Sequence, residues 1–195
     1  MNKDILINEL MSLEEYAKNR TEFREGILQH KKYRSLQIGD AVTLFFEDRR
    51  TIHYQIQEML RIEKIFEEGG IREELSSYNP LIPNGDNWKA TMMIQYTDPQ
   101  ERQIALSKMV GIEDCVWVKA GDNELIYAVA DEDLDRTRED KTSSVHFLRF
   151  QFDPDILDEI NETTSIVFGI DHKHYAMNTG DIKKKLKTSI MNDLD

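Results

Sequence analysis

Three polar residues interrupt the apolar pattern of the segment TIHYQIQEMLRIEKIF, residues 51–66: Gln55, Glu58 and Glu63. With successive residues about 100° apart around a helix, Ile52, Ile56, Met59, Leu60, Ile62 and Phe66 cover one broad side. His53, Gln57, Arg61 and Lys64 lie opposite, and the three polar residues fall among the apolar ones. An unpaired carboxylate in such a face costs several kcal/mol or takes up a proton. The same wheel over residues 13–34 collects Leu13, Tyr16, Ala17, Phe23, Ile27 and Leu28, with Arg20 and Arg24 in the middle of the stripe. Guanidinium groups one turn apart match carboxylates in bidentate geometry. The two anomalies therefore resolve each other in a cross-helix network of Arg20, Arg24, Glu58 and Glu63, with Gln55 completing it. Such a network can be structural, fixing how the N-terminal helix docks. It can equally be a pocket in which two arginines and an amide hold an anionic metabolite, with a glutamate free for proton transfer. A carboxylate-rich metal site would need His30 or another ligand nearby, and no metal or cofactor is assigned.

Other candidates carry less. The run DEDLDRTREDK, residues 131–141, spaces Asp131, Asp133 and Asp135 like the start of a calcium loop. It has Arg136 where the loop needs glycine and Thr142 where it needs an acidic residue. It reads as a solvated loop from which Arg136 and Arg138 can reach a pocket. His172 and His174 in DHKHY, followed by Tyr175, stand at a strand end. Two ligands do not make a metal site, so an exposed turn is the default. His146 shares a strand face with Leu148 and Phe150 and reads as a satisfied core histidine. Cys115, the single cysteine, begins CVWVKA and reads as a small buried residue, since EDC supplies no positive neighbour to activate a thiol.

The elements that must position these residues divide unevenly along the chain. Ser12 and Glu15 form a capping box that opens a helix reaching to about Tyr33. A turn at Gly39 leads to a strand over residues 41–46, the helix of the opening segment follows, and Gly69 and Gly70 stop it. IREELSSY adds a short helix and NPLIPNGDN a loop. WKATMMIQY alternates Trp88, Ala90, Met92, Ile94 and Tyr96 against Lys89, Thr91, Met93 and Gln95, the period of a strand. Asp98 and Pro99 open another helix, CVWVKAGDNELIYAVA reads as a hairpin, and SVHFLRFQF and SIVFGI supply two strands around a helix begun by Asp153 and Pro154. The expected architecture is a single α+β domain over residues 1–180, with a helical N-terminal region and a mostly antiparallel sheet of about five or six strands. Residues 181–195 read as a tail or frayed helix, with Ile182, Leu186 and Ile190 on one side.

Composition excludes several function classes. The chain of 195 residues is 39% hydrophobic and 32% charged, which describes a globular protein with a solvated surface. A formal net charge of −12 opposes binding to phosphate backbones, so nucleic acid is not an expected partner. One cysteine closes no internal disulfide and no four-thiolate iron-sulfur cluster. No run approaches about 18 apolar residues, so no membrane association is expected and the cytoplasm is the expected compartment.

The blocks FEDRRTIHYQIQEMLRIEKIFE, YNPLIPNGDNWKATMMIQY, VGIEDCVWV, ADEDLDRTREDKTSSVHFLRF and GIDHKHY resemble those of an uncharacterised bacterial family, domain-of-unknown-function family 3501. The likeness spans roughly residues 11–176. By resemblance, Arg20, Arg24 and His30 fall at matching positions, while Thr21 stands where proline is usual. The resemblance also implies genes beside those of rubrerythrin-like and iron-sulfur oxidoreductase proteins, and hence a role near peroxide defence or electron transfer. Two classes follow: an accessory or interaction protein serving such a redox system, or a small enzyme or metabolite-binding protein using the Arg/Glu/Gln cluster.

Overall fold

The structure, a computed structural model, describes residues 3–195. Ser12 Oγ accepts from the Glu15 amide at 3.2 Å and Glu15 Oε2 accepts from the Ser12 amide at 3.1 Å, which starts α1, Leu13–Lys31. Thr21 keeps the N–H that a proline would remove, and the helix runs through it unbroken. Strands β1 (Ser35–Ile38) and β2 (Val42–Phe46) form a hairpin, turning at Gly39 with φ of +64°. Helix α2, Arg49–Glu63, starts where Asp48 Oδ1 accepts from the Thr51 amide at 2.8 Å. It ends earlier than the glycine pair suggested. Lys64 takes the left-handed conformation and closes α2, and Gly69 and Gly70 lie in the first turn of α3, Glu68–Tyr78.

The rest of the chain alternates strands with short helices: β3 (Asn87–Ile94), α4 (Pro99–Lys108), β4 (Val116–Ala120), β5 (Ile126–Tyr127), β6 (Val129–Ala130) and β7 (Val145–Gln151). After them come α5 (Pro154–Glu159), β8 (Ile166–His172), β9 (Tyr175–Asp181) and α6 (Lys184–Met191). All strand pairs are antiparallel. The α+β class with antiparallel pairing is therefore as expected. The strands are shared between two sheets, one ordered β1-β2-β3-β7-β6 and the other β5-β4-β8-β9.

The two sheets share one core. From the five-stranded sheet come Leu44, Phe46, Trp88, Met92, Leu148 and Phe150, and from the four-stranded sheet Val116, Val118, Ile166, Phe168 and Ile170. Leu186 and Ile190 of α6 join the same core, and Trp88 Nε1 donates to the Ile190 carbonyl at 2.8 Å. On its other face the five-stranded sheet meets the helical layer. There Ile52, Ile56 and Leu60 of α2 pack with Ile5, Leu75 and Ile82 in a second, smaller cluster. Among the described residues, no helix is long and apolar enough to cross a membrane.

Candidate functional site

Of the residues expected to form a network, Arg20 and Glu58 meet. Arg20 Nε donates to Glu58 Oε1 at 2.7 Å and Arg20 Nη2 to Glu58 Oε2 at 2.9 Å, a bidentate pair. The Tyr16 hydroxyl adds a bond to Oε1 at 2.6 Å and Arg61 Nη2 one to Oε2 at 3.3 Å. The Arg20 hydrogen bonds, reinforced by Tyr16 and Arg61, hold the Glu58 carboxyl down to about 2 against burial. Every lone-pair direction of the carboxylate is occupied by protein, and Glu58 lines none of the cavities described below. This is a tie between α1 and α2.

Arg24, Glu63 and Gln55 stand outside it. The docked line of α1 runs through Tyr16, Arg20, Phe23 and Ile27, and Arg24 lies one position off that line, exposed and without a polar partner among the described residues. Glu63 is the last residue of α2 and is exposed, as are Ile62 and Phe66, at 58% and 71%. The apolar side drawn for residues 51–66 breaks there because the helix stops. Gln57, placed by the wheel on the polar side, is fully buried. Its amide accepts from the Met11 N–H at 2.6 Å and donates to the Met11 carbonyl at 3.3 Å. Helix α2 is thus covered on two sides, by the sheet and by the N-terminal segment, and a one-sided pattern could not describe it.

Gln55 instead faces a gap between the helical layer and the outer face of the five-stranded sheet, where it bonds with Tyr78. Two adjoining cavities lie there, of about 330 and 460 Å³, and share Glu47, Leu81 and Phe147 in their walls. The smaller is lined by Phe45, Ile52, Met93 and Val145, with Lys31, Gln55 and Thr91 also in its wall. The larger is lined by Ser76, Ser77, Lys89, Glu132 and Arg149, together with Ala90, Leu134 and Leu148. Between them Glu47 accepts from the Thr51 hydroxyl at 2.5 Å and the Thr91 hydroxyl at 2.7 Å. Arg149 is engaged by Glu132 in two bonds of 2.8 Å. Lys89 is not so engaged. Its Nζ donates to the Pro80 carbonyl at 2.6 Å and has no ion-pair partner among the described residues, while burial lowers its affinity for the proton.

A second centre lies on the inner face of β7. His146 is fully buried, its Nδ1 is 2.6 Å from Asp131 Oδ2, and its Nε2 is 2.8 Å from Thr142 Oγ1 and 3.8 Å from Glu113 Oε2. Thr142 donates to Glu113 Oε2 at 3.1 Å, and the Thr137 hydroxyl bonds the other Glu113 oxygen. Arg136 reaches Asp131 at 3.1 Å and Asp133 at 2.5 Å, and stacks over the Phe147 ring. The histidine is in the core, with both ring nitrogens facing oxygen atoms. Glu113 and Thr142 were not singled out, because neither stands in a pattern that marks it.

The remaining candidates are scattered. His30 Nε2 lies 2.5 Å from Asp48 Oδ2, beside buried Arg34, and away from Glu58. Arg138 is exposed. His172 is engaged at both ring nitrogens, Nε2 lying 3.2 Å from the Val110 carbonyl and Nδ1 accepting from the His174 amide at 3.3 Å, and the exposed His174 ring lies 5.7 Å from it between centroids. Tyr175 is a clasp: its hydroxyl donates to the Ile38 carbonyl at 2.6 Å and accepts from the Ala41 and Val42 amides at 2.9 and 3.2 Å. Cys115 is half-buried rather than buried, and desolvation raises its thiol above the ordinary range, which disfavours the thiolate.

Fold and site together define an α+β protein of two antiparallel sheets with a helix-covered cavity on one face. A family model described as "Protein of unknown function (DUF3501)" matches residues 4–194, and the chain belongs to that family. A crystal structure of a protein of unknown function from Burkholderia pseudomallei is similar over 100% of both chains, with 43% identity and a TM-score of 0.93. No curated protein matches the chain.

Proposed function

We propose that this protein binds a small organic anion with an apolar body across the two adjoining cavities. The observation that carries the reading is Lys89, an ammonium on the cavity wall with two N–H groups unclaimed by protein. Of the other charged groups in that cavity, Glu132 pairs with Arg149, Asp133 with Arg136, and Glu47 accepts from the Thr51 and Thr91 hydroxyls. Lys89 is therefore the seat for a carboxylate, while Phe45, Ile52, Met93 and Val145 receive the apolar body. Gln55 and Tyr78 supply the neutral polar contacts that orient it. The Arg20–Glu58 pair has no part in binding, since each already satisfies the other.

Thermal-shift and calorimetric titration with organic carboxylates of graded tail size tests this. The expected result is stabilisation by at least one of the series, weakened about tenfold or more in Lys89→Met, equivalent to about 1.4 kcal/mol. Equal affinity in Lys89→Met, or no response from the wild-type protein, overturns the reading. An accessory role beside a redox partner, which the family resemblance implies, gains instead if a redox protein co-purifies and no small molecule does.

A further inference from the structure

The geometry points to a divalent-cation site in the second centre, held by His146 Nε2, the Glu113 carboxylate and the Thr142 hydroxyl, with Asp131 bracing the imidazole. A count of hydrogens carries it. Nε2 faces three oxygens: Thr142 Oγ1 at 2.8 Å, the Ser143 carbonyl at 3.1 Å and Glu113 Oε2 at 3.8 Å. A carbonyl and an ionised carboxylate bring no hydrogen, and the hydroxyl brings one. In a neutral imidazole whose hydrogen sits on Nδ1, directed to Asp131 Oδ2 at 2.6 Å, Nε2 presents a lone pair. The single Thr142 hydrogen then serves either Nε2 or Glu113 Oε2, not both. Acceptors exceed donors in a buried space, and a cation is what completes it.

Size and charge agree. Separations of 2.8, 3.1 and 3.8 Å among Nε2, Oγ1 and Oε2 leave a point about 1.9 Å from all three, against about 2.0–2.2 Å for zinc bound by nitrogen and oxygen. One ligand atom from each of Glu113, Asp131 and His146 lies within 4.8 Å of the others. Asp131, fixed by the Phe147 amide at 2.9 Å and by Arg136, stands where a carboxylate orients a metal-bound imidazole. Arg136 is the one arginine in contact, and it also serves Asp133, so negative charge is in excess. One imidazole with oxygen donors selects zinc or manganese rather than a soft ion.

Metal content of protein expressed in zinc-supplemented medium, gel-filtered after mild chelation, reads the site, with cobalt substitution as the spectroscopic probe. The expected result is one equivalent in the wild-type protein, lost in the isosteric Glu113→Gln and weakened about 10–100-fold in Asp131→Asn. Lys89→Met should retain the full equivalent, which separates this site from the anion cavity. Should Glu113→Gln fail to fold, the wild-type protein still decides, because cobalt on Nε2 must give visible d–d bands. A proton on Nε2 is the rival occupant. Wild-type protein without metal and without a cobalt spectrum, or metal retained equally by all variants, overturns the proposal.

Discussion

At the scale of single residues, Glu58 accepts bonds from three side chains, and the consequence can be measured. Its carboxyl, about 2 in the folded protein against an ordinary 4.5, contributes stability that is complete above 4.5 and disappears as pH falls through about 2. Replacing Glu58 by Gln removes the charge between two arginines whose side chains are 34% and 37% exposed. That exposure moderates a buried-pair loss to about 2 kcal/mol. Urea unfolding at neutral pH should show it, with the difference between variant and wild type narrowing as the medium is acidified toward 2. Organic-anion binding should be unchanged. The pairing of Arg20 with Glu58 was legible because both interrupt apolar stripes at helical spacing. Lys89 was not. In WKATMMIQY it alternates onto the polar side of a strand, and nothing local distinguishes a lysine facing a cavity from one facing solvent.

At the scale of elements, the signals that held were those satisfied within a few residues. The Ser12 and Asp98 caps start helices as read, and the alternation in β3 and β7 sets which side chains enter the core. What failed depended on a neighbour distant in sequence. Gln57 is buried by Met11, and β9 pairs with β8 although its own burial pattern is mostly open. The Tyr175 clasp, which joins β9 to the β1–β2 turn, gives a direct check. Tyr175→Phe leaves the Ile38 carbonyl and two amides without their partner, so a loss of about 2 kcal/mol in urea unfolding is expected. The C-terminal helix gives another. Deleting residues 184–195 removes Leu186 and Ile190 from the core, the acceptor of Trp88 Nε1, and the Asp193 partner of fully buried Arg34. The truncated chain should lose its cooperative thermal transition and its near-ultraviolet circular dichroism. A wild-type melt would show that these residues are a dispensable tail.

At the scale of the whole molecule, the five-stranded sheet works on both faces. Its inner face closes the shared core and supplies His146, while its outer face supplies Phe45, Lys89, Met93 and Phe147 to the cavity under α2 and α3. The residues that line the cavity come from segments separated by many tens of positions, so the antiparallel class could be read from local patterns and the cavity could not. Native mass spectrometry of the protein purified from its own host tests the ligand-binding claim most directly, with Met93→Trp alongside to fill the smaller cavity. The expected spectrum is a wild-type ion carrying the mass of an organic acid, and a folded Met93→Trp ion without it. Bare ions from both proteins, or an adduct that persists in Met93→Trp, would contradict the claim.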